Sequence, residues 1–151
     1  MREIKFRAKD IKTNKWVYGG YYKHLKRTPC PIGDNVEPSD YEDLIINSGF
    51  SDWNMPKPLN CFIVDEKTVG QFTGLKDKNG VEVYEGDILQ LFYGKENTLL
   101  TTTKVYFNEE GYWDSKNLSE QHPFRACYGG FSKCEVIGNV YENPELLKEG
   151  E

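Results

Sequence analysis

The sequence predicts a mainly β protein. An N-terminal β-hairpin and a proline-rich region precede a small SH3-like or rolled β-barrel, and one short helical turn closes the chain. Three observations predict this class. Apolar residues alternate with polar ones in most of the structured segments, which is the period of a half-buried strand. An Asn-Gly pair marks a tight hairpin turn. Hydrophobic residues make up only 38% of the 151 residues while aromatics reach 14%, a balance that suits the thin core of a small barrel.

The first element is predicted to be a β-hairpin. Ile4, Phe6 and Ala8 alternate with charged residues and point to one face of an extended chain. The polar segment 10–14 then reads as a turn, and the aromatic run 16–22 as the second strand. This run is interrupted by two adjacent glycines, which predict a bulge or a close approach of another backbone.

The segment from Lys23 to Asn60 is predicted to be mostly loop, because it holds five of the seven prolines. Ser39 and Glu42 have the spacing of a capping box and predict one or two helical turns. A short strand is expected close behind, at 44–47. Long loops in compact domains are often functional, so this segment is the expected place for partner contacts or mobility.

From Cys61 onward the pattern predicts strands almost throughout, and a barrel running from about residue 61 to 143. The tetrapeptide Asp77-Lys78-Asn79-Gly80 predicts a type I′ hairpin turn, and Glu85-Gly86-Asp87 a sharp corner. Further strands are expected at 62–64, 68–73, 81–83, 88–92, 99–107, 112–113 and 134–141. Asn143 followed by Pro144 predicts a closing helical turn. We divide the chain into a region 1–60 and a barrel-like region 61–151, which together form one compact unit.

Charge and patterning restrict the function classes. Nineteen basic and 24 acidic residues give a net charge of −5, which weakens attraction to a polyanion. No window approaches the roughly 18 apolar residues of a membrane span. The N-terminus lacks the apolar stretch of a signal peptide. We therefore expect a cytoplasmic protein, and its four widely spaced cysteines are expected to be buried free thiols.

No arrangement of residues predicts catalysis, and no cofactor is expected. The acidic group Asp77, Glu82, Glu85 and Asp87 could hold a cation, but its members sit at turn positions, where carboxylates bond their own backbone. A zinc site built on His122, Cys127 and Cys134 would have the wrong ligand spacing. The glycines do not form a phosphate-binding loop. The chain is therefore predicted not to be an enzyme.

Four blocks of the chain resemble the YopX family, which is found mainly in bacteriophages and in prophages of Gram-positive bacteria. They lie in family order at 1–8, 69–80, 84–88 and 136–147. The most specific feature is Phe-Thr-Gly-Leu-x-Asp-x-x-Gly followed by Glu-Gly-Asp. The resemblance implies a mostly-β fold with a barrel-like C-terminal part, a phage-borne protein and self-association. It implies no reaction and carries nothing over to 23–60.

Two functions follow as hypotheses. The first is a non-enzymatic phage accessory protein that works by binding, as a homo-oligomer built through β-edges and exposed aromatics, with a phage or host protein as a further partner. The alternative is a single-stranded nucleic-acid binder in which aromatics stack bases and cations follow the phosphates. The residues assigned to this alternative site are Tyr21, Tyr22, Lys23, Lys26 and Arg27.

Overall fold

Ten β-strands make up the regular structure in the computed structural model, which describes residues 1–93, 95–96, 98–115 and 133–150. They form two antiparallel sheets, and the helical segments described are short 3-10 turns. The predicted all-β class is confirmed. The strands are β1 (Phe6–Lys9), β2 (Trp16–Leu25), β3 (Tyr41–Ser48), β4 (Leu59–Val64), β5 (Gly70–Lys76), β6 (Glu82–Tyr84), β7 (Asp87–Tyr93), β8 (Thr98–Phe107), β9 (Trp113–Ser115) and β10 (Cys134–Asn139).

Residues Ile4–Gly70 form one compact unit, whose strands lie in the order β4-β3-β2-β1. The predicted N-terminal hairpin is present as β1 and β2. The register places Tyr21 opposite Ile45, and Ile45 opposite Phe62, so their side chains share one face of the sheet. Ala8, Ile45 and Val64 are buried together on that face and form the core of this unit.

The two adjacent glycines of β2 differ in their surroundings. A Cβ on Gly19 would lie 2.2 Å from the carbonyl oxygen of Ile46, whereas one on Gly20 would meet no atom closer than 3.9 Å. The close backbone approach predicted from the glycine pair therefore occurs at Gly19 alone. Only a residue without a side chain fits there.

The segment 23–60 is mostly loop, as predicted, and the strand expected at 44–47 is present, but strands cover more of the segment than predicted. Strand β2 continues to Leu25, and β3 occupies Tyr41–Ser48. The prolines lie in the two connections instead, three between β2 and β3 and two between β3 and β4. Proline thus interrupts the ladder where the chain turns, while the β-rich stretch between the two groups pairs on both sides.

One helical turn is present near Ser39, as predicted, but the capping box assigned to Ser39 and Glu42 does not form. A single 3-10 turn covers Pro38–Asp40, and the backbone N–H of Glu37 donates to Asp40 Oδ2 at 2.9 Å. Glu42 already belongs to β3, where its carboxylate lies 2.8 Å from His24 Nδ1 on the paired strand. Pairing with β2 therefore limits the helical turn to Pro38–Asp40.

The second unit runs from Gln71 onward and includes Met1–Glu3. It contains the antiparallel pair β5 and β6 and a four-stranded sheet in the order β10-β7-β8-β9. Its core is a cluster of five buried residues, and Trp113 packs against it from β9. The cluster consists of Val83, Leu89, Leu91, Val105 and Cys134.

The predicted barrel is not closed. Within the described residues, β9 and β10 are the two edges of the four-stranded sheet. The edge of β10 instead meets the β5–β6 turn, where Lys78 N donates to Cys134 O at 3.0 Å. In the first unit, Asp10, which follows β1, forms an isolated bridge with Val64 of β4.

The turn between β5 and β6 is not of type I′. Gly80 has a positive φ of 82°, but Asn79 does not, and type I′ requires positive φ at both central residues. The Asp77 carboxylate accepts hydrogen bonds from the amides of Asn79 and Val81, at 2.8 and 2.9 Å. A side-chain acceptor thus supports a turn with one left-handed glycine.

The chain ends as predicted, in a short helical segment at Pro144–Gly150, which is 3-10 in type. The predicted division between residues 60 and 61 falls inside β4, whereas the boundary between the compact units follows Gly70. No helix among the described residues has the length and apolar character needed to span a membrane.

Candidate functional site

The two tyrosines assigned to a nucleic-acid site lie on opposite faces of β2. Tyr21 is half-buried and packs against Phe6, with ring centroids 5.5 Å apart. Tyr22 is exposed on the other face, 6.2 Å from the ring of His24. Successive side chains of a strand alternate in this way. The two rings therefore do not form one stacking platform.

Tyr21 is held by a hydrogen bond as well as by packing. Its hydroxyl donates to Asp43 Oδ1 on the neighbouring strand β3. Burial raises the pKa of Tyr21 to about 12, with a further contribution from the hydrogen bond to Asp43. The phenol therefore acts as a neutral donor beneath the sheet.

The raised pKa of Tyr21 predicts a loss of stability at high pH. Because the folded protein holds the proton more tightly than the unfolded chain does, the contribution is complete below the ordinary pKa of 10 and fades as pH rises toward 12. In an alkaline absorbance titration, one tyrosine of the folded protein is expected to ionise near pH 12. The Tyr21→Phe variant should lack this step, and an unchanged titration curve would contradict the assignment.

Lys23, on the same strand, faces carboxylates. Its Nζ lies 3.0 Å from Glu66 Oε1 and 3.9 Å from Asp43 Oδ1. The hydrogen bond to Glu66 raises the pKa of Lys23. Lys23 also lies 5.7 Å from the ring centroid of Tyr41. Its charge is therefore already balanced within the unit.

Arg27 organises the connection between β2 and β3. Its guanidinium contacts Asp34 through Nη1 at 2.6 Å and Asp40 through Nε at 2.9 Å, and Nη2 donates to the carbonyl of Asn35. The hydrogen bond from Arg27 lowers the pKa of Asp40 to about 2. A guanidinium that binds two carboxylates at once has few donors left for a phosphate. Lys26, next to it, is exposed.

The acidic residues at the turns of the second unit accept hydrogen bonds from the backbone. Asp77 is buried, and its second oxygen accepts from the amide of Val136 at 3.0 Å. Asp87 is also buried and accepts from the amide of Tyr84 at 2.7 Å. The Glu82 carboxylate accepts from the hydroxyl of Tyr84. Among the described residues, no group of three or more His, Cys, Asp or Glu side chains is arranged to hold a metal ion.

The expectation that the cysteines are buried holds for Cys134, which lies in the core of the second unit, but is wrong for Cys30 and Cys61, which are exposed. Burial raises the pKa of the Cys134 thiol to about 12, so the group stays protonated at neutral pH, and metals bind the thiolate form. The other two residues of the zinc site considered above, His122 and Cys127, lie outside the described residues.

The most exposed group of large apolar side chains lies on the loop between β3 and β4. We call residues 49–58 the β3–β4 arch. A hydrogen bond from Gly49 N to Pro58 O closes its base at 2.7 Å, and Met55 N donates to Asp52 O within it. Phe50 is 88% exposed, Trp53 is 94% exposed and Met55 is 62% exposed. Side chains of this kind on one loop are typical of an interaction site.

The arch continues into an exposed edge strand. Leu59, the first residue of β4, is 76% exposed, and Cys61 is exposed as well. Strand β4 ends its sheet and pairs only with β3 apart from the bridge at Val64. The strand carries no charged side chain, although charges are the usual protection of an edge.

The sequence predicts partner contacts in 23–60, but none of these apolar residues was among the predicted site residues. A signal was present, because 49–58 places Phe, Trp and Met among Gly, Ser, Asp, Asn and Pro without the period of a helix or strand. Apolar residues outside a periodic pattern have no obvious place in a core. Their exposure nevertheless becomes evident only from the structure.

Comparison with known proteins agrees with this all-β architecture of two antiparallel sheets. The crystal structure of protein EF1440 from Enterococcus faecalis is 25% identical in sequence. The match covers 97% of this chain and 99% of that one, with a TM-score of 0.50. The comparison with curated proteins gives no match.

A family model described as YopX protein matches residues 5–148, nearly the whole chain. The chain therefore belongs to the YopX family, which confirms the resemblance found in the four sequence blocks.

Proposed function

We propose that this protein is a non-enzymatic accessory protein of a phage or prophage. It acts in the host cytoplasm by binding, and it self-associates. Membership of the YopX family supports the phage setting, because the resemblance to this family implies a phage-borne protein. The observation that carries the proposal is the β3–β4 arch with its three exposed apolar side chains.

Self-association follows from the cost of leaving such a surface in water. Each large aromatic side chain covers about 150–250 Å², so two copies of Phe50 and Trp53 would remove roughly 600–1,000 Å² from solvent. Met55 and Leu59 add to this area. The total approaches the roughly 1,200 Å² at which stable interfaces begin. Tryptophan is also among the residues that most often dominate interface energetics.

The alternative, a single-stranded nucleic-acid binder, has less support. Lys23 and Arg27 are engaged by Glu66, Asp34 and Asp40, and Tyr21 packs against the core. Phosphates would have to displace these carboxylates at a protein of net charge −5. A host or phage protein remains a further partner for the arch.

The proposal is tested by measuring mass in solution. Light scattering of the purified protein is expected to give at least twice the 17.5 kDa of one chain, before and after nuclease treatment. Joint replacement of Phe50 and Trp53 by serine should reduce the mass to that of one chain, because the apolar area of the interface is lost.

Ile32→Ser provides the matched control, since Ile32 is as exposed as Phe50 but lies outside the arch. Its mass should equal that of the unmodified protein. A single-chain mass for the unmodified protein at every concentration would contradict the proposal. Salt-sensitive binding of a labelled oligonucleotide, lost in a Lys26→Glu, Arg27→Glu variant, would favour the alternative.

A further inference from the structure

The backbone of β4 presents hydrogen-bonding groups outward at alternate residues. Asn60 and Phe62 lie opposite Asn47 and Ile45 of β3. The bond from Gly49 N to Pro58 O shows which residue pairs of this ladder are hydrogen-bonded, because bonded pairs recur at every second residue. In an antiparallel ladder the residues between the bonded pairs direct N–H and C=O away from the partner strand. Leu59, Cys61 and Ile63 are therefore the outward residues.

The outward edge is already used at one end. The carbonyl oxygen of Ile63 accepts from the amide of Ile11 at 3.1 Å, and the amide of Asp65 donates to Lys9 O at 2.9 Å. The β1–β2 turn thus covers the end of β4. Within the described residues, Leu59 and Cys61 carry no such contact, and both are exposed. The open edge consists of these two residues.

We propose that a second copy of this chain pairs with β4 at this edge, antiparallel, about a twofold axis at Asn60. In this register Leu59 of each chain lies opposite Cys61 of the other chain. All four outward groups of each chain are then satisfied, in four hydrogen bonds. The inference rests on the proposed self-association and identifies the surface and register that produce it.

Three features favour a second copy over another partner. The open edge is two residues long, and the twofold register uses all of it on both sides, whereas a longer strand would meet the β1–β2 turn. The side chains of Leu59 and Cys61 are uncharged and would cover each other across the ladder. The β3–β4 arches of both chains adjoin the axis, and Phe50 and Trp53 on them add the area that four hydrogen bonds lack.

The test uses two substitutions at Cys61. Cys61→Pro removes the outward N–H and leaves the bonds of Asn60 and Phe62 to β3 in place, because proline is tolerated at an edge whose N–H faces out. Cys61→Val retains the N–H and serves as the control. Light scattering should give one chain's mass for the proline variant and the unmodified mass for the valine variant. Circular dichroism should show both variants folded.

Amide hydrogen exchange then reports the register. In the unmodified oligomer the amides of Leu59 and Cys61 are expected to exchange at least about tenfold more slowly than after dilution to single chains. The Asn60 amide, bonded to β3, should be protected in both states. An oligomer that survives Cys61→Pro, or that leaves the two amides unprotected, would overturn the edge inference alone. A protein that is always a single chain would overturn the proposed function as well.

Discussion

Replacement of Gly19 by alanine is expected to lower the free energy of unfolding of the N-terminal unit by about 3 kcal/mol. The new Cβ would lie 2.2 Å from the carbonyl oxygen of Ile46 and 2.9 Å from its carbonyl carbon. Both atoms are backbone, so β2 and β3 would have to separate for the methyl group to fit. The expected change can be measured by denaturant unfolding followed by the fluorescence of Trp16 on β2.

The neighbouring glycine supplies the control. Gly20→Ala places its Cβ 3.9 Å from the nearest atom, in backbone that any residue adopts. The variant should unfold within about 0.5 kcal/mol of the unmodified protein. Equal stability of the two alanine variants would show that the contact between Gly19 and Ile46 does not limit the packing of these strands.

Asp77→Ala is expected to destabilise the second unit by about 3 kcal/mol. The carboxylate accepts from the amides of Asn79, Val81 and Val136. The first two bonds shape the β5–β6 turn, and the third ties that turn to β10. Removing the side chain leaves three amide donors without their acceptor. The amide of Val136 is partly buried, so water replaces the carboxylate poorly there. Thermal or denaturant unfolding measures the change.

Two further variants make this prediction specific. Asp77→Asn can keep the bonds from Asn79 and Val81 through Oδ1, but its NH₂ group would face the amide of Val136, so an intermediate loss of about 1 kcal/mol is expected. Glu109→Ala, at an exposed position in the β8–β9 turn, should have little effect. If Asp77→Ala is no more destabilising than Glu109→Ala, the carboxylate does not hold the turn.

Local sequence patterns were enough to predict elements that depend on residues close together in the chain. Alternation over Ile4–Ala8 and the aromatic run at 16–22 predicted the N-terminal hairpin, and the glycine pair predicted a close approach that occurs at Gly19. Asn143 and Pro144 predicted the closing helical turn. In each case the signal lies in a short local segment, so the prediction needed no knowledge of distant contacts.

Predictions failed where distant contacts compete with local signals. The helix predicted from Ser39 and Glu42 is limited to one turn at Pro38–Asp40, because β3 pairs on both sides and buries Leu44 and Ile45. The Asn-Gly turn departs from type I′ because Asp77 accepts from two amides of the turn and from β10. The barrel does not close, since which strand edges meet depends on curvature that alternation does not encode.

The candidate site shows the same division. Tyr21 and Tyr22 are neighbours in sequence, but the pleat places them on opposite faces. Two of the three predicted cations, Lys23 and Arg27, pair with acids up to 43 residues away. Conversely, Phe50, Trp53 and Leu59 become a candidate interface only once the rest of the fold leaves them uncovered.

By itself, the sequence determined the all-β class, the YopX family and the positions of most turns, because backbone preferences and apolar alternation act between near neighbours. Only the tertiary structure decided which edges remain open, which charges are already paired and which apolar side chains stay in water. These properties depend on whether other segments cover or pair with a residue, and those segments lie far away in the chain.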